Sequence, residues 1–248
     1  MPNPRRRSFP RPHSVRAWLL SALGAIVVIG AAGVLFIYFV LFSHSAPAPL
    51  TLTSPAAAAA QSPALTSTQI PGTWTVAAKS VAGYRVRERL AFLSAPSDAV
   101  GRTSQITGTA TITGSGTSLT VSAASFTVNV ESLTSDQQMR DSHIQSLGLD
   151  SAQFPEAKFV LSSPVALPAT ATSGAEITVS LHGALTIHGT TKTVSIPVQA
   201  RLTGPQIEVV GSITFPWGEF NMQAPNVDGF VTVDSTATME FDLFLKHS

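Results

Sequence analysis

Cysteine is absent from all 248 residues, so no disulfide framework, thiolate metal site or thiol nucleophile is available. Charge is scarce as well: only 12% of residues are Asp, Glu, Lys or Arg. Five of the fifteen basic residues are Arg5, Arg6, Arg7, Arg11 and Arg16, which leaves ten basic against fourteen acidic side chains in the rest of the chain. That remainder is mildly acidic, which argues against nucleic acid as a partner. Between Arg16 and Lys79 there is no Lys or Arg at all.

Within that gap, Ala17 to Phe42 reads AWLLSALGAIVVIGAAGVLFIYFVLF, 26 residues without a charge. As a helix it would be roughly 39 Å long, more than the roughly 30 Å hydrocarbon core of a bilayer. The arginines before it place the N-terminus in the cytoplasm by the positive-inside rule, and everything after Ser43 outside. A cleaved signal peptide would have an apolar core of roughly 7–15 residues. The run here is nearly twice that, so the expectation is an uncleaved single-pass anchor in the cell membrane. Residues 1–16 are then a basic cytoplasmic tail, 17–42 a transmembrane helix, 43–71 a linker and 72–248 an extracytoplasmic domain of the cell envelope. The linker is rich in Ala, Pro, Ser and Thr, carries no formal charge, and reads as a disordered, partly extended spacer.

From Gly72 onward the dominant period is two. Val231, Val233, Ala237, Met239, Phe241, Leu243 and Leu245 alternate with polar residues in a long half-buried strand. Ile177 to Ile187 and Val194 to Leu202 alternate in the same way, and His188-Gly189-Thr190 joins them as a tight hairpin. Tyr84, Val86, Leu90 and Phe92 share a face opposite Arg85, Arg87 and Arg89. Ile106 to Ile112, Trp74 to Ala78, Lys158 to Ser162 and Ile207 to Phe215 supply further strands. In Leu119 to Val130 the apolar parity switches near Ala123-Ala124, which predicts a bulge. Only Ser135 to Leu149 has a helical period. The fold class is therefore all-β, an antiparallel barrel of about eight strands with one short helical excursion; long strands favour a barrel over a sandwich. Small inward residues such as Gly108, Ala110, Gly183 and Ala200 leave room for a cavity, and an eight-stranded barrel can be either filled or hollow.

No nucleophile elbow, glycine-rich phosphate loop or supported carboxylate pair is present, so no catalytic residue is assigned and the protein is read as a non-enzyme without a cofactor. His182 and His188 share a parity but stand about 20 Å apart along a strand. No metal site is assigned either.

Several segments together resemble the YceI-like family. They are Gly72-Thr73-Trp74-Thr75-Val76 with Ser80, Gly83-Tyr84-Arg85-Val86, Val100-Gly101-Arg102-Thr103, Glu131-Ser132-Leu133, Met139-Arg140-Asp141-Ser142-His143-Ile144, Phe154-Pro155-Glu156-Ala157-Lys158-Phe159, and Gly183-Ala184-Leu185-Thr186-Ile187-His188-Gly189. In order, they cover essentially all of residues 72–246. The resemblance implies a lipocalin-like barrel and a polyisoprenoid ligand. The partners expected are then a long-chain isoprenoid or similar apolar lipid and the membrane through the N-terminal helix, with a homodimer left open. Ligand contacts are expected from the inward residues Trp74, Tyr84, Val86, Leu90, Phe92, Phe126, Ile177, Leu181, Leu185, Met239 and Phe241. Arg140 and His143 are candidates for meeting a headgroup at the barrel mouth, although Arg140 reads more readily as pinning the excursion to the barrel and Asp141 as a local cap. Glu88 shares the inward parity, where a lone carboxylate is costly, and the preferred reading puts it near a strand end in water. Two other readings stay open: a filled, ligand-free structural or stress-protective domain, and an enzyme acting on lipid intermediates.

Overall fold

The computed structural model describes residues 46–53, 69–91, 96–227 and 231–248. The expected basic tail 1–16, the transmembrane segment 17–42 and Phe92 lie outside the described residues. Among the described residues no helix is long and apolar enough to cross a membrane.

Among the described residues thirteen strand segments form one antiparallel sheet. They are β1 (Gly72–Val76), β2 (Val81–Leu90), β3 (Ser97–Thr103), β4 (Ile106–Ser115), β5 (Ser118–Asn129), β6 (Glu156–Leu161), β7 (Val165–Ala166), β8 (Ile177–Ile187), β9 (Thr190–Thr203), β10 (Gln206–Pro216), β11 (Asn226–Val227), β12 (Val231–Val233) and β13 (Thr236–His247). The sheet closes because β13 pairs with β1 as well as with β10. β1 and β2 follow one another along β13, and they pair in turn with β4 and β3. β6 and β7 share the far edge of β5. The segments therefore make eight staves of a barrel, the architecture that the long strands favoured over a sandwich, and closure leaves few free edges.

The turn chemistry accounts for the register. Ile187 pairs with Thr190, so His188 and Gly189 are the two-residue loop, and both have positive φ, 50° and 67°. That is the mirror-image turn whose twist suits a hairpin, and a glycine at its second position carries it without strain. The parity switch in β5 is a bulge: Thr111 pairs with Ala123 and Ile112 with Val121, leaving Ser122 unopposed. The last apolar run is interrupted at Asp234-Ser235, so it forms β12 and β13 rather than one strand.

The helical stretch is α1 (Gln138–His143), continued by a π-helical turn (Ile144–Gly148). It packs Ile144 inward, and Gln145 Nε2 donates to the carbonyls of Glu131 (3.0 Å) and Leu133 (3.2 Å).

Residues 46–53 depart from the spacer reading. They lie on the outer wall of the barrel, where Thr53 N–H donates to Glu208 Oε1 at 2.6 Å and Arg102 Nη2 donates to the Ala48 carbonyl at 2.6 Å. The physical reason is that outward-facing charges on distant strands bind the backbone of this segment, which a scale of local hydrophobicity does not register.

Candidate functional site: the barrel interior

The apolar interior divides into two packed clusters. One contains Trp74, Ile106, Ile112, Leu119, Leu243 and Leu245. The other contains Val86, Leu185, Val198, Phe215, Trp217 and Phe220. Only half-buried residues join them, and Phe126, Leu161, Val209 and Phe241 pack against both. A side chain that points into a barrel and is still half accessible borders space rather than packed atoms. The barrel is accordingly hollow: a cavity of about 210 Å³ is lined almost wholly by apolar side chains of both clusters, from Ile112 and Leu119 to Trp217 and Met222. It exceeds the ~150 Å³ at which an apolar cavity stays dry and takes a benzene ring.

Large side chains stand at both ends of the barrel. Trp74 is fully buried, donates from Nε1 to the Ile70 carbonyl at 2.9 Å, and meets the His247 ring edge-on at 5.1 Å. At the opposite end Trp217 donates from Nε1 to the Asp234 carbonyl at 2.9 Å, and Phe215 and Phe220 meet edge-to-face at 4.8 Å. Some of the space left by inward glycines is taken by rings: a Cβ on Gly183 would meet the Phe159 ring at 2.4 Å, and one on Gly211 the Phe241 ring at 2.6 Å.

Of the residues expected to meet a ligand, Tyr84, Phe126, Ile177, Leu181, Leu185, Met239 and Phe241 line this cavity. Trp74 and Val86 are buried in the end clusters and pack against neighbours instead of lining it. Leu90 belongs to β2 and pairs with Val231 in the ladder, but its side chain, like Phe92, lies outside the described residues. Val179 and Val209 also line the cavity. Both were visible as positions on apolar strand faces, but nothing in the period marks how far along the barrel axis a residue sits.

The charged candidates are arranged around the excursion rather than in the cavity. Arg140 Nη2 donates to Glu88 Oε1 at 2.8 Å and Nε to Oε2 at 3.4 Å; its Nη1 also donates to Asp136. Glu88 is therefore inward and 6% exposed, with a guanidinium as its partner and Ser97 Oγ donating at 3.3 Å. This corrects the expectation of a strand end in water: the burial is supported by pairing. Arg140 thus pins α1 to the barrel, and Asp141 Oδ1 caps locally by accepting from Ser135 N–H at 2.8 Å. His143 is partly exposed and does not line the cavity. Tyr84 Oη is buried and has no hydrogen-bond partner among the described residues. Burial first, with the negative charge of Asp141 second, pushes the phenol pKa up, so Tyr84 stays neutral and keeps an unused donor beside the cavity.

Among the described residues no three His, Asp or Glu side chains come together in a way that could hold a metal ion. The His188 ring meets that of Phe154 at 4.5 Å in a tilted arrangement at the hairpin turn, and His182 is exposed on the outer face of β8.

The described residues thus form a closed antiparallel barrel with an apolar cavity, the inward charge of Glu88 being paired with Arg140 beside the helical excursion. Compared with known families, residues 74–245 match the YceI-like domain, and the chain belongs to that family. Among solved structures it is similar to a domain from Saccharophagus degradans described as polyisoprenoid-binding and implicated in plant cell wall breakdown. The two are 15% identical with a TM-score of 0.52, over 72% of this chain and 99% of that one. Burkholderia cenocepacia BcnA is 20% identical with a TM-score of 0.50, over 68% of this chain and 98% of that one. At these identities the likeness is one of fold. Comparison with curated proteins finds no significant match.

Proposed function

We propose that this chain is a membrane-anchored, extracytoplasmic lipid-binding protein, a carrier or reservoir for a long-chain isoprenoid or similar apolar lipid, with no catalytic activity of its own. The observation that carries the reading is the apolar cavity lined by both interior clusters. An interior that only needed to be stable would gain by filling that space with larger side chains, since voids forfeit contacts on one side. The family membership and the ligand class of the Saccharophagus degradans domain support the same reading by analogy of fold. Each five-carbon unit buried contributes roughly 4 kcal/mol at about 0.8 kcal/mol per buried carbon, before ordering costs. A chain longer than the present cavity is accommodated by rotamer changes of flexible lining residues such as Met239 and Leu181. Tyr84 supplies a donor for an oxygen carried by the ligand.

Anchorage and orientation rest on the uncharged 17–42 run and the arginines before it. The experiment is native mass spectrometry with lipid extraction on residues 46–248 expressed in a bacterial host. A stoichiometric long-chain isoprenoid or fatty lipid is expected. An apo mass that stays unchanged after incubation with polyprenyl lipids rejects the carrier reading in favour of a structural domain, and chemical conversion of the bound lipid would make the protein an enzyme.

A further inference from the structure

Residues 46–53, APAPLTLT, cross the outside of the barrel without joining its ladder. Pro47 and Pro49 have no N–H to offer a neighbouring strand and preset an extended backbone. The hold comes from side chains of the barrel. Arg85 Nη2 donates to the Pro47 carbonyl at 2.6 Å and Arg102 Nη2 to the Ala48 carbonyl at 2.6 Å. At the other end Thr53 donates to Glu208 Oε1 from both its N–H (2.6 Å) and its Oγ1 (2.7 Å), while Arg201 Nη2 donates to the Thr53 carbonyl. Leu50 lies half-buried at the edge of a small recess that it lines together with Thr178, Pro197, Val210 and Ser212.

The receiving face is unusual for the outside of a barrel. Glu208, Arg201 and Glu240 occupy outward positions of β10, β9 and β13, yet they are 0%, 7% and 3% exposed. They are paired among themselves and with β2 and β3: Glu240 with Arg102 at 2.7 Å and Arg85 at 3.6 Å, Glu208 with Arg201 at 3.4 Å. Three guanidinium groups aimed at peptide carbonyls and a carboxylate aimed at a peptide N–H make a template for an extended peptide. Because these charges face outward, undocking returns them to water and strands no ion in an apolar interior. The groove is therefore built for an occupant that can leave.

We propose that this outer wall is a docking groove for an extended, proline-bearing peptide and that residues 46–53 occupy it as a releasable latch. Docked, the segment leaves only residues 43–45 between the uncharged run and the folded unit. Undocked, the whole of 43–71 acts as spacer. For a flexible chain at about 5–6 Å × √n, the reach changes from about 10 Å to about 30 Å. The docking stands on the contacts alone; its effect on reach rests on the membrane anchor proposed above. The latch thereby sets how far a lipid-loaded barrel travels from the membrane that anchors it.

The test uses the full chain in nanodiscs of phosphatidylcholine and phosphatidylglycerol. Since the chain has no cysteine, Leu50→Cys with Ser212→Cys places two thiols in the same recess, and mild oxidation is expected to close an intramolecular bond. Site-resolved hydrogen exchange of the wild-type Thr53 amide is expected to be at least tenfold slower than in a free chain and at least tenfold faster than the ladder amides of β8 and β9. Glu208→Ala, or the milder Thr53→Val with Leu50→Ser, should bring that amide to the free-chain rate with β8 and β9 unchanged. Free-chain exchange in the wild type means the groove is empty, and exchange as slow as the ladder means a permanent part of the fold; either overturns the latch. Cross-links between two molecules overturn docking in cis and make the occupant a second copy. Lipid retention is read separately by mass spectrometry, so loss of the latch and loss of lipid binding are distinguishable.

Discussion

At the scale of single residues, Glu88 and Arg140 form the ion pair that holds the helical excursion over one end of the barrel. Removing the guanidinium leaves a carboxylate that is 6% exposed without its cation, so Arg140→Ala is expected to cost about 3 kcal/mol. Adding Glu88→Ala to it should cost less than the two single changes together, because the stranded charge is gone; a double-mutant cycle in urea measures this. On the outer wall, Asp242 presents the opposite problem. Burial, with Glu208 on β10 as the second cause, raises its pKa from 3.8 to about 7, and its Oδ1 has no hydrogen-bond partner among the described residues. The folded state therefore keeps this proton up to about pH 7, while the unfolded chain loses it near pH 4. Stability falls as pH rises through that window and is level above it. Asp242→Asn should abolish the slope and stabilise the protein at pH 8, by at most about 4 kcal/mol and by about 1–2 kcal/mol once partial exposure is allowed for. Denaturant midpoints at pH 5 and pH 8 check both the sign and the size. Neither feature was fully legible in the sequence. Parity put Glu88 inside, but its partner lies 52 residues away, and Asp242 looks like any other outward residue of an alternating strand.

At the scale of elements, the period of two located the strands because one face of each packs inward, and the turn residues located the hairpin. His188-Gly189 shows how far local chemistry reaches: the pair sets a mirror-image turn, and that turn sets the register of eleven partnered positions between β8 and β9. Gly189→Ala puts a Cβ 2.6 Å from the Phe154 ring at a φ of 67°, so a loss of about 1–2 kcal/mol is expected. Thermal unfolding measures it, and an unchanged midpoint would mean that the turn relaxes into another type. The bulge at Ser122 was legible because a parity switch is a local event. The segment 46–53 was not, because its hydrogen-bond partners lie on strands 38 to 155 residues away. Low hydrophobicity and proline content describe both a free spacer and a peptide held by arginines.

At the scale of the whole molecule, closure of the sheet fixes an interior, and the choice of side chains at its waist decides whether the interior is a core or a container. A period of two marks the inward face but not the axial position, which is why Trp74 and Val86, expected at the ligand, pack against neighbours outside the cavity lining, while Val209, on an apolar face but not expected at the site, lines it. The distinction yields a test that does not depend on recovering a lipid. Val209→Phe with Val179→Phe adds volume where the waist is hollow. In a well-packed core such overpacking costs roughly 1–3 kcal/mol. In a container the added rings find space and gain contacts, so stability should stay level or rise while a fluorescent polyprenyl probe loses at least tenfold in affinity. A double variant that is both destabilised and unchanged in probe binding would mean that the waist is packed in solution and that lipid, if bound, sits elsewhere. A variant that keeps its stability and loses the probe would place the ligand against Val179, Val209 and Phe241, in the apolar cavity.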